Sequence, residues 1–477
     1  MIKKILKKYH SLSVEKKAIL WFTFATIIQN GIMFLVTPIY TRILSDSEYG
    51  VFGVYQSWQQ IISIIGVLAL DRCISVGFMK FAKERKEFLS SIQSLMTVLI
   101  FTCFILVCIF PNFFTSIIGL PIYVIFSMLI MALLNNSLMN WSCLQRYEYK
   151  YKKLSIITIL STLIIQIGAI LAVILIPFDN KGELLILATT VGKLLIYGII
   201  YIAVLIRGKN VFNKDFWKFS LKYSIAIIPH ALAQIILNSS DRIMIDKMCS
   251  REEAAYYSVT YSAAMVLNIV ITAISSAVQP WFFERIKNKE FNKIKERTRS
   301  LFLISALLVT IASLFAPDIL AILAPGSYSA ALWVFPSIAV GVFFNSLYLY
   351  FANFESYYEK PYYYSIATGI GAVVNIMLNF LLIPIFGFIA AGYTTLFCYI
   401  IFAILHYVFM RRVCKKELDN VKPFDAKFTI ILSVVTVLSS ILITLLYMQN
   451  IVRYIFIAIL FVGVFILRKK ILKSAKK

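Results

Sequence analysis

His230, Gln234, Asn238, Asp241 and Arg242 follow one another at spacings of four, four, three and one in a run that is otherwise apolar. On a helix they share one face. Imidazole, carboxamide, carboxylate and guanidinium groups along such a stripe can hydrogen-bond a hydroxyl-rich or phosphorylated cargo, or hold an ion. Further stripes accompany it: Asn268, Thr272, Ser275 and Gln279; Asn30, Thr37 and Thr41 beside Arg42; Tyr55, Gln59 and Ser63; Thr368, Asn375 and Asn379. A single serine or threonine of this kind is accounted for by helix–helix bonding, but five stripes together point to a shared polar cavity. Four cations sit in or at the mouths of apolar runs, namely Arg42, Arg72, Lys193 and Arg242, and Lys193 is too deep in its run to snorkel to water. The titratable candidates for coupling to an ion are Asp71, Asp241 and His230.

Other chemistries lack their residues. His10, His230 and His406 are too far apart to suggest a metal site, and the seven cysteines follow no metal or disulfide spacing. No glycine loop cradles a phosphate, so no nucleotide-driven motor is expected, and no loop is long enough to house a polymerase or ligase site.

The elements that must position these groups are membrane helices. The chain has 477 residues, of which 60% are hydrophobic, with a mean hydropathy of +0.83. Fourteen apolar runs of spanning length lie between residues 18 and 468. The second, seventh and eighth are longer than a bilayer requires; proline is expected to bend the seventh at Pro229, and the polar stripe of the eighth ends before Pro280. A net charge of +24 does not mark a nucleic-acid binder, because the basic residues punctuate the apolar runs instead of forming one patch. Lys and Arg concentrate in alternate loops, which places both termini in the cytoplasm. The basic tails Lys3, Lys4, Lys7, Lys8 and Lys469, Lys470, Lys473, Lys476, Lys477 then face anionic headgroups. The first apolar run is too long for a cleaved leader and lacks a small-residue cleavage site.

One phrase occurs twice. At a constant offset Ser45 matches Ser250, Glu48 matches Glu253, Phe52 matches Tyr257, Val54 matches Val259 and Ser57 matches Ser262. The repeat predicts an all-α polytopic membrane protein with two six-helix lobes related by a pseudo-twofold along the membrane normal, plus two C-terminal helices. The expected divisions are 1–208 for the first lobe, 209–416 for the second and 417–477 for the appendix and tail.

The phrase running from Thr37-Pro38-Ile39-Tyr40-Thr41-Arg42 to Glu48-Tyr49-Gly50 resembles the start of bacterial polysaccharide-biosynthesis flippases. Asp241-Arg242-Ile243-Met244-Ile245, running on to Tyr257-Ser258-Val259, resembles their seventh-helix signature. The resemblance covers nearly the whole chain and extends to the superfamily that includes lipid II flippases and multidrug extruders. It implies a flippase, not an enzyme, for an undecaprenyl-pyrophosphate-linked oligosaccharide of O-antigen or capsule type. It further implies alternating access in the bacterial cytoplasmic membrane around a cationic cavity, without a cofactor; directional movement would then draw on an H+ or Na+ gradient or on downstream consumption of the glycan. Arg42 and Arg242 sit in the matching motifs; Arg72 and Lys193 are added from their depth. With the cations, Asn30, Gln59, Gln234, Asn238, Asn268, Gln279 and Asn375 make up the expected substrate-binding set. The partners expected are the lipid-linked glycan, membrane lipids and other polysaccharide-assembly membrane proteins, with no nucleic acid. The competing readings are a multidrug extruder, which would want acidic cavity residues, and a membrane glycan polymerase, which would need a carboxylate constellation in a loop.

Overall fold

The computed structural model describes residues 13–476, and all regular structure among them is helical. The tails at Lys3, Lys4, Lys7 and Lys8, together with Lys477, lie outside the described residues. The chain divides into two compact units, Met1–Ile235 and Ile236–Lys477.

The first unit opens with α1 (Val14–Ile43) and α2 (Asp46–Ile65). Ser45 caps α2 through a reciprocal box: its hydroxyl accepts the Glu48 N–H at 3.3 Å, and its own N–H donates to Glu48 Oε2 at 2.8 Å. After α2 the chain turns through Leu68 and Ala69, both left-handed at φ 51° and 53°, into a 3-10 turn (Leu70–Cys73) and α3 (Ile74–Lys80). The expected second span is therefore in two pieces, bent by 57°, and Asp71 and Arg72 sit on the turn at the break. Left-handed conformation costs a non-glycine residue about 1–2 kcal/mol, so packing must hold the break open. Leu70 and Ala69 supply it: both are fully buried. There follow α4 (Arg85–Ile109), the short α5 (Pro111–Ile118), α6 (Ile122–Tyr147), α7 (Tyr151–Leu175) and α8 (Lys181–Gly208).

Helix α9 (Lys214–Met248) contains the division between the units, at Ile235–Ile236. The second unit continues with α10 (Arg251–Lys287), α11 (Phe291–Leu314), the short α12 (Ala316–Leu323), a 3-10 turn (Gly326–Trp333) and α13 (Phe335–Tyr357). It closes with α14 (Tyr362–Phe386), α15 (Phe388–Glu417), α16 (Ala426–Leu446) and α17 (Asn450–Lys476). The second copy of the repeat starts α10, where the Ser250 hydroxyl accepts the Glu253 N–H at 3.1 Å. At Gly387 the chain passes from α14 into α15 with φ 68°, a conformation that favours glycine.

Among the described residues, twelve helices are long and apolar enough to cross a membrane, the bent α2–α3 pair counted as one span adds a thirteenth, and Asn450–Gly463 of α17 is a shorter apolar stretch. Together they match the fourteen runs one for one. Helix α10 runs through Pro280 to Lys287. A proline removes one helical hydrogen bond, whereas ending the helix in an apolar medium would strand several backbone groups. Burial follows bundle position. The apolar window of α13 is 83% buried and that of α16 only 11%, so α13 is the core of its unit and α16 a lipid-facing strut.

Candidate functional site

Each unit gathers polar side chains, and the two clusters differ in chemistry. In the first unit a cavity of about 360 Å³ opens among α1, α2, α6, α7 and α8. Its polar lining is Tyr55, Gln56, Gln59 and Gln60 of α2, Asn135 of α6, Gln166 of α7, and Thr189 and Lys193 of α8. The Lys193 ammonium donates to Asn135 Oδ1 at 3.2 Å. Gln59 is buried and donates to the Met128 carbonyl at 3.2 Å, while the Gln166 oxygen accepts from the Tyr40 hydroxyl. An ammonium at mid-bilayer depth costs about 3 kcal/mol on insertion scales unless it faces water or polar groups. The surrounding carboxamides meet that requirement, and they both donate and accept, as sugar hydroxyls do.

In the second unit the centre is Asp241 of α9, 1% exposed. One carboxylate oxygen accepts from Asn379 Nδ2 at 2.6 Å; the other accepts from Thr395 Oγ1 at 2.7 Å and from the Tyr257 hydroxyl. Asn375 extends the network, accepting from Ser240 Oγ at 3.0 Å and from Asn379 Nδ2 at 3.3 Å. Helices α9, α10, α14 and α15 thus meet on a single carboxylate. Beside it, the buried Arg242 guanidinium lies 4.7 Å above the Tyr261 ring, a cation–π placement.

The remaining residues of the expected set are dispersed. Arg42 is exposed at the end of α1, where it donates to the Pro38 carbonyl at 2.8 Å. Arg72 pairs with Asp71 at 3.2 Å and is otherwise open. Neither lines the cavity that holds Lys193. Asn30 and Gln234 are exposed on α1 and α9, and His230 is half-buried on α9. Asn238 accepts from the Tyr399 hydroxyl at 3.0 Å, and Asn268 accepts from Asn345 Nδ2 at 2.8 Å. Gln279 donates to Asn353 Oδ1 at 3.2 Å.

Sequence reasoning missed several groups. Gln56, Gln60, Asn135 and Gln166 join the first cluster from three helices, and only the adjacency of glutamines in α2 hinted at them. Asp241, Asp71 and His230 are not the only titratable groups within the bundle. Glu355 of α13 and His406 of α15 are both fully buried and in contact, His406 Nδ1 lying 2.9 Å from Glu355 Oε1. The tenth apolar run, which spans 330–353 in the sequence, leaves out Glu355, whereas its helix continues to Tyr357.

Comparison with known proteins agrees with this architecture. The profile of the polysaccharide biosynthesis protein family matches residues 16–286. A protein of the Lsg locus of Haemophilus influenzae is 22% identical over 341 residues, covering 69% of this chain and 81% of that one. Among solved structures, the lipid II flippase MurJ in an inward closed conformation superposes with a TM-score of 0.70 at 15% identity, over 95% of this chain and all of that one. An inward-facing multidrug resistance MATE family transporter of the MOP superfamily gives 0.61 at 14% identity, over 83% and 96% of the two chains. At these identities the superpositions establish the fold alone, a multi-pass bundle of apolar helices. With its profile matched over more than half of the length, the chain belongs to the polysaccharide biosynthesis protein family.

Proposed function

We propose that this protein is a flippase, not an enzyme, which moves an undecaprenyl-pyrophosphate-linked oligosaccharide of O-antigen or capsule type across the bacterial cytoplasmic membrane by alternating access, with both termini cytoplasmic. The observation that carries the reading is the cavity around Lys193, in which one ammonium stands among carboxamides and hydroxyls. A pyrophosphate brings about two negative charges into a medium of low dielectric, where a fixed cation offsets much of the cost. The carboxamides match sugar hydroxyls, and the prenyl chain stays in lipid. A multidrug extruder for cationic cargo would want carboxylates there, and none lines this cavity.

In this reading directional movement draws on an H+ or Na+ gradient and needs no cofactor, with Asp71, Asp241 and His230 as the coupling groups read from the sequence. Its partners are the lipid-linked glycan, the surrounding lipids and other membrane proteins of polysaccharide assembly. The test is reconstitution in proteoliposomes with a fluorescent undecaprenyl-pyrophosphate disaccharide. Transbilayer movement that exceeds protein-free vesicles supports the reading. Movement of a cationic dye with none of the glycan lipid would replace it with the extruder.

A further inference from the structure

Glu355 and His406 are the one ion pair among the described residues in which both side chains are wholly excluded from solvent. His406 Nδ1 lies 2.9 and 3.0 Å from the two carboxylate oxygens. The other ring nitrogen, Nε2, is buried and has no hydrogen-bond partner. Aromatic rings enclose the imidazole: Phe402 at 4.6 Å, Tyr348 at 4.8 Å and Tyr364 at 5.3 Å between centroids.

Tyr348 and Tyr364 also line a polar cavity of about 100 Å³, with Ser275, Gln279 and Asn353. That volume holds about three waters. Asn353 Nδ2 is likewise buried beside it without a partner, a second polar atom placed to bind water. The titratable and charged groups nearest the pair are Tyr348 on the helix of Glu355, and Tyr363 and Tyr364 on α14. On α15 follow Tyr407, whose ring lies 5.4 Å from that of Phe351, Arg411, which donates to the Val421 carbonyl, and Arg412, whose guanidinium lies 5.8 Å from the Phe409 ring. Lys360, whose N–H donates to the Glu355 carbonyl, directs its ammonium to Glu417 at 4.0 Å. Helix α10 contributes only uncharged groups to the cavity, among them Ser275 and Gln279.

The hydrogen inventory of the pair has a direct consequence. With the carboxylate ionised and the imidazole neutral, Nδ1 carries the hydrogen and donates to Glu355, and Nε2 is a bare lone pair. Adding one proton gives either an imidazolium facing a carboxylate or a carboxylic acid donating to Nδ1. Both of these forms place a hydrogen on Nε2. The observed packing offers Nε2 no acceptor from the protein. A proton taken up from cavity water favours any conformation that turns an acceptor, such as a tyrosine hydroxyl or a water, towards Nε2. A bound species shifts a conformational equilibrium only through such a difference between states.

We propose that Glu355 and His406 form the binding site for one proton, reached through the cavity lined by Tyr348 and Tyr364, and that loading this site couples the second unit to a proton gradient. The proposal deepens the transport reading above and rests on it for the coupling, but proton binding itself can be measured without transport.

The chain has three histidines, so His10→Gln with His230→Gln leaves His406 as the one imidazole in 15N-histidine-labelled protein. As pH falls from about 9 to about 5, its ring nitrogens should pass from the neutral to the imidazolium pattern. In Glu355→Gln, which keeps the size and one acceptor, that passage should move to lower pH. A spectrum unchanged by pH, or a passage that ignores Glu355→Gln, overturns the site. In proteoliposomes with the fluorescent glycan lipid, the ratio of rates with and without an imposed pH gradient should exceed one for the wild type and fall to one for Glu355→Gln. A wild-type ratio of one overturns the coupling. If His406 titrates as described while the wild type moves no glycan lipid at all, the proton site stands and the flippase reading falls.

Discussion

Glu48 Oε1 accepts the backbone N–H of Lys181 at 2.7 Å, so the acidic residue of the first repeated turn caps a helix that starts 133 residues later. Its other oxygen completes the capping box with Ser45. The second repeat does the same, with Glu253 Oε2 accepting the N–H of Phe388 at 3.3 Å. Each repeated turn therefore ties the start of its own helix to the start of the sixth membrane helix in its unit. Loss of an N-cap costs about 0.5–2 kcal/mol, and Glu48 serves two helices. Glu48→Ala should lower the melting temperature of the purified protein more than Ser45→Ala does. Gly182→Ala should also destabilise it, because a Cβ there would meet the Glu48 carbonyl oxygen at 2.2 Å. A melting temperature unmoved by either change would show that the cap carries no stability.

Lys193 is the cation of the first cluster, and Lys193→Met keeps its length without its charge. A hydrogen bond to a charged group is worth about 1.5–3 kcal/mol. Movement of the pyrophosphate lipid should therefore slow about ten- to a hundredfold, while Lys289→Met, in the loop between α10 and α11, changes it less than twofold. Equal rates for both variants in proteoliposomes would remove Lys193 from the pathway.

Asp241 joins four helices by accepting from Tyr257, Asn379 and Thr395. Replacing it by Ala strands these buried donors, each at a cost of about 1–3 kcal/mol. Asp241→Ala should thus fail to give a monodisperse protein in detergent, whereas Asp241→Asn, which keeps one acceptor oxygen, should survive with a lower melting temperature. Size-exclusion profiles separate the two outcomes, and a well-behaved Asp241→Ala would show that the network is dispensable.

The final helix is tied down from outside the bundle core. Arg453 Nη1 donates to Asp318 Oδ2 at 2.5 Å and to the Leu314 carbonyl at 2.9 Å, and the Tyr454 hydroxyl donates to Asp318 Oδ1 at 2.6 Å. Burial pushes the Asp318 carboxyl up, but the bonds from Arg453 and Tyr454 and the Arg453 charge outweigh it and hold the group below the ordinary carboxylate range. The folded state then binds this proton less readily than the unfolded state. The contribution of Asp318 is complete above the ordinary carboxylate range and is lost as pH falls through its lowered value. Asp318→Asn should lower the melting temperature at neutral pH, and that deficit should shrink at about pH 3. An equal deficit at both pH values would rule out the titration of Asp318 as the cause.

The proposed orientation is open to labelling. On a background freed of its seven cysteines, single cysteines at Ser327 and Asp179 should react with an impermeant maleimide on intact cells. Those at Lys289 and Lys415 should react only after lysis. Labelling of Lys289 or Lys415 from outside would reverse the topology.

Hydropathy alone determined the helical class and where the apolar helices lie, because lipid leaves a backbone no option but to bond within its own helix. The Ser-x-x-Glu turns were legible for the same kind of local reason: a capping box lies within four residues. The depth of Lys193 was also a matter of counting. What lines the cavity around it was decided by tertiary structure, since Asn135 and Gln166 arrive from other helices and a carboxamide on one helix does not announce its facing partner. The break at Leu68–Ala69 had no glycine or proline at the two left-handed residues to signal it; packing around Leu70 holds it. Most of all, Glu355 and His406 stand 51 residues apart on separate helices. In the sequence each is one polar residue at the edge of an apolar run. Only the packing of α13 against α15 makes them a pair sealed from water.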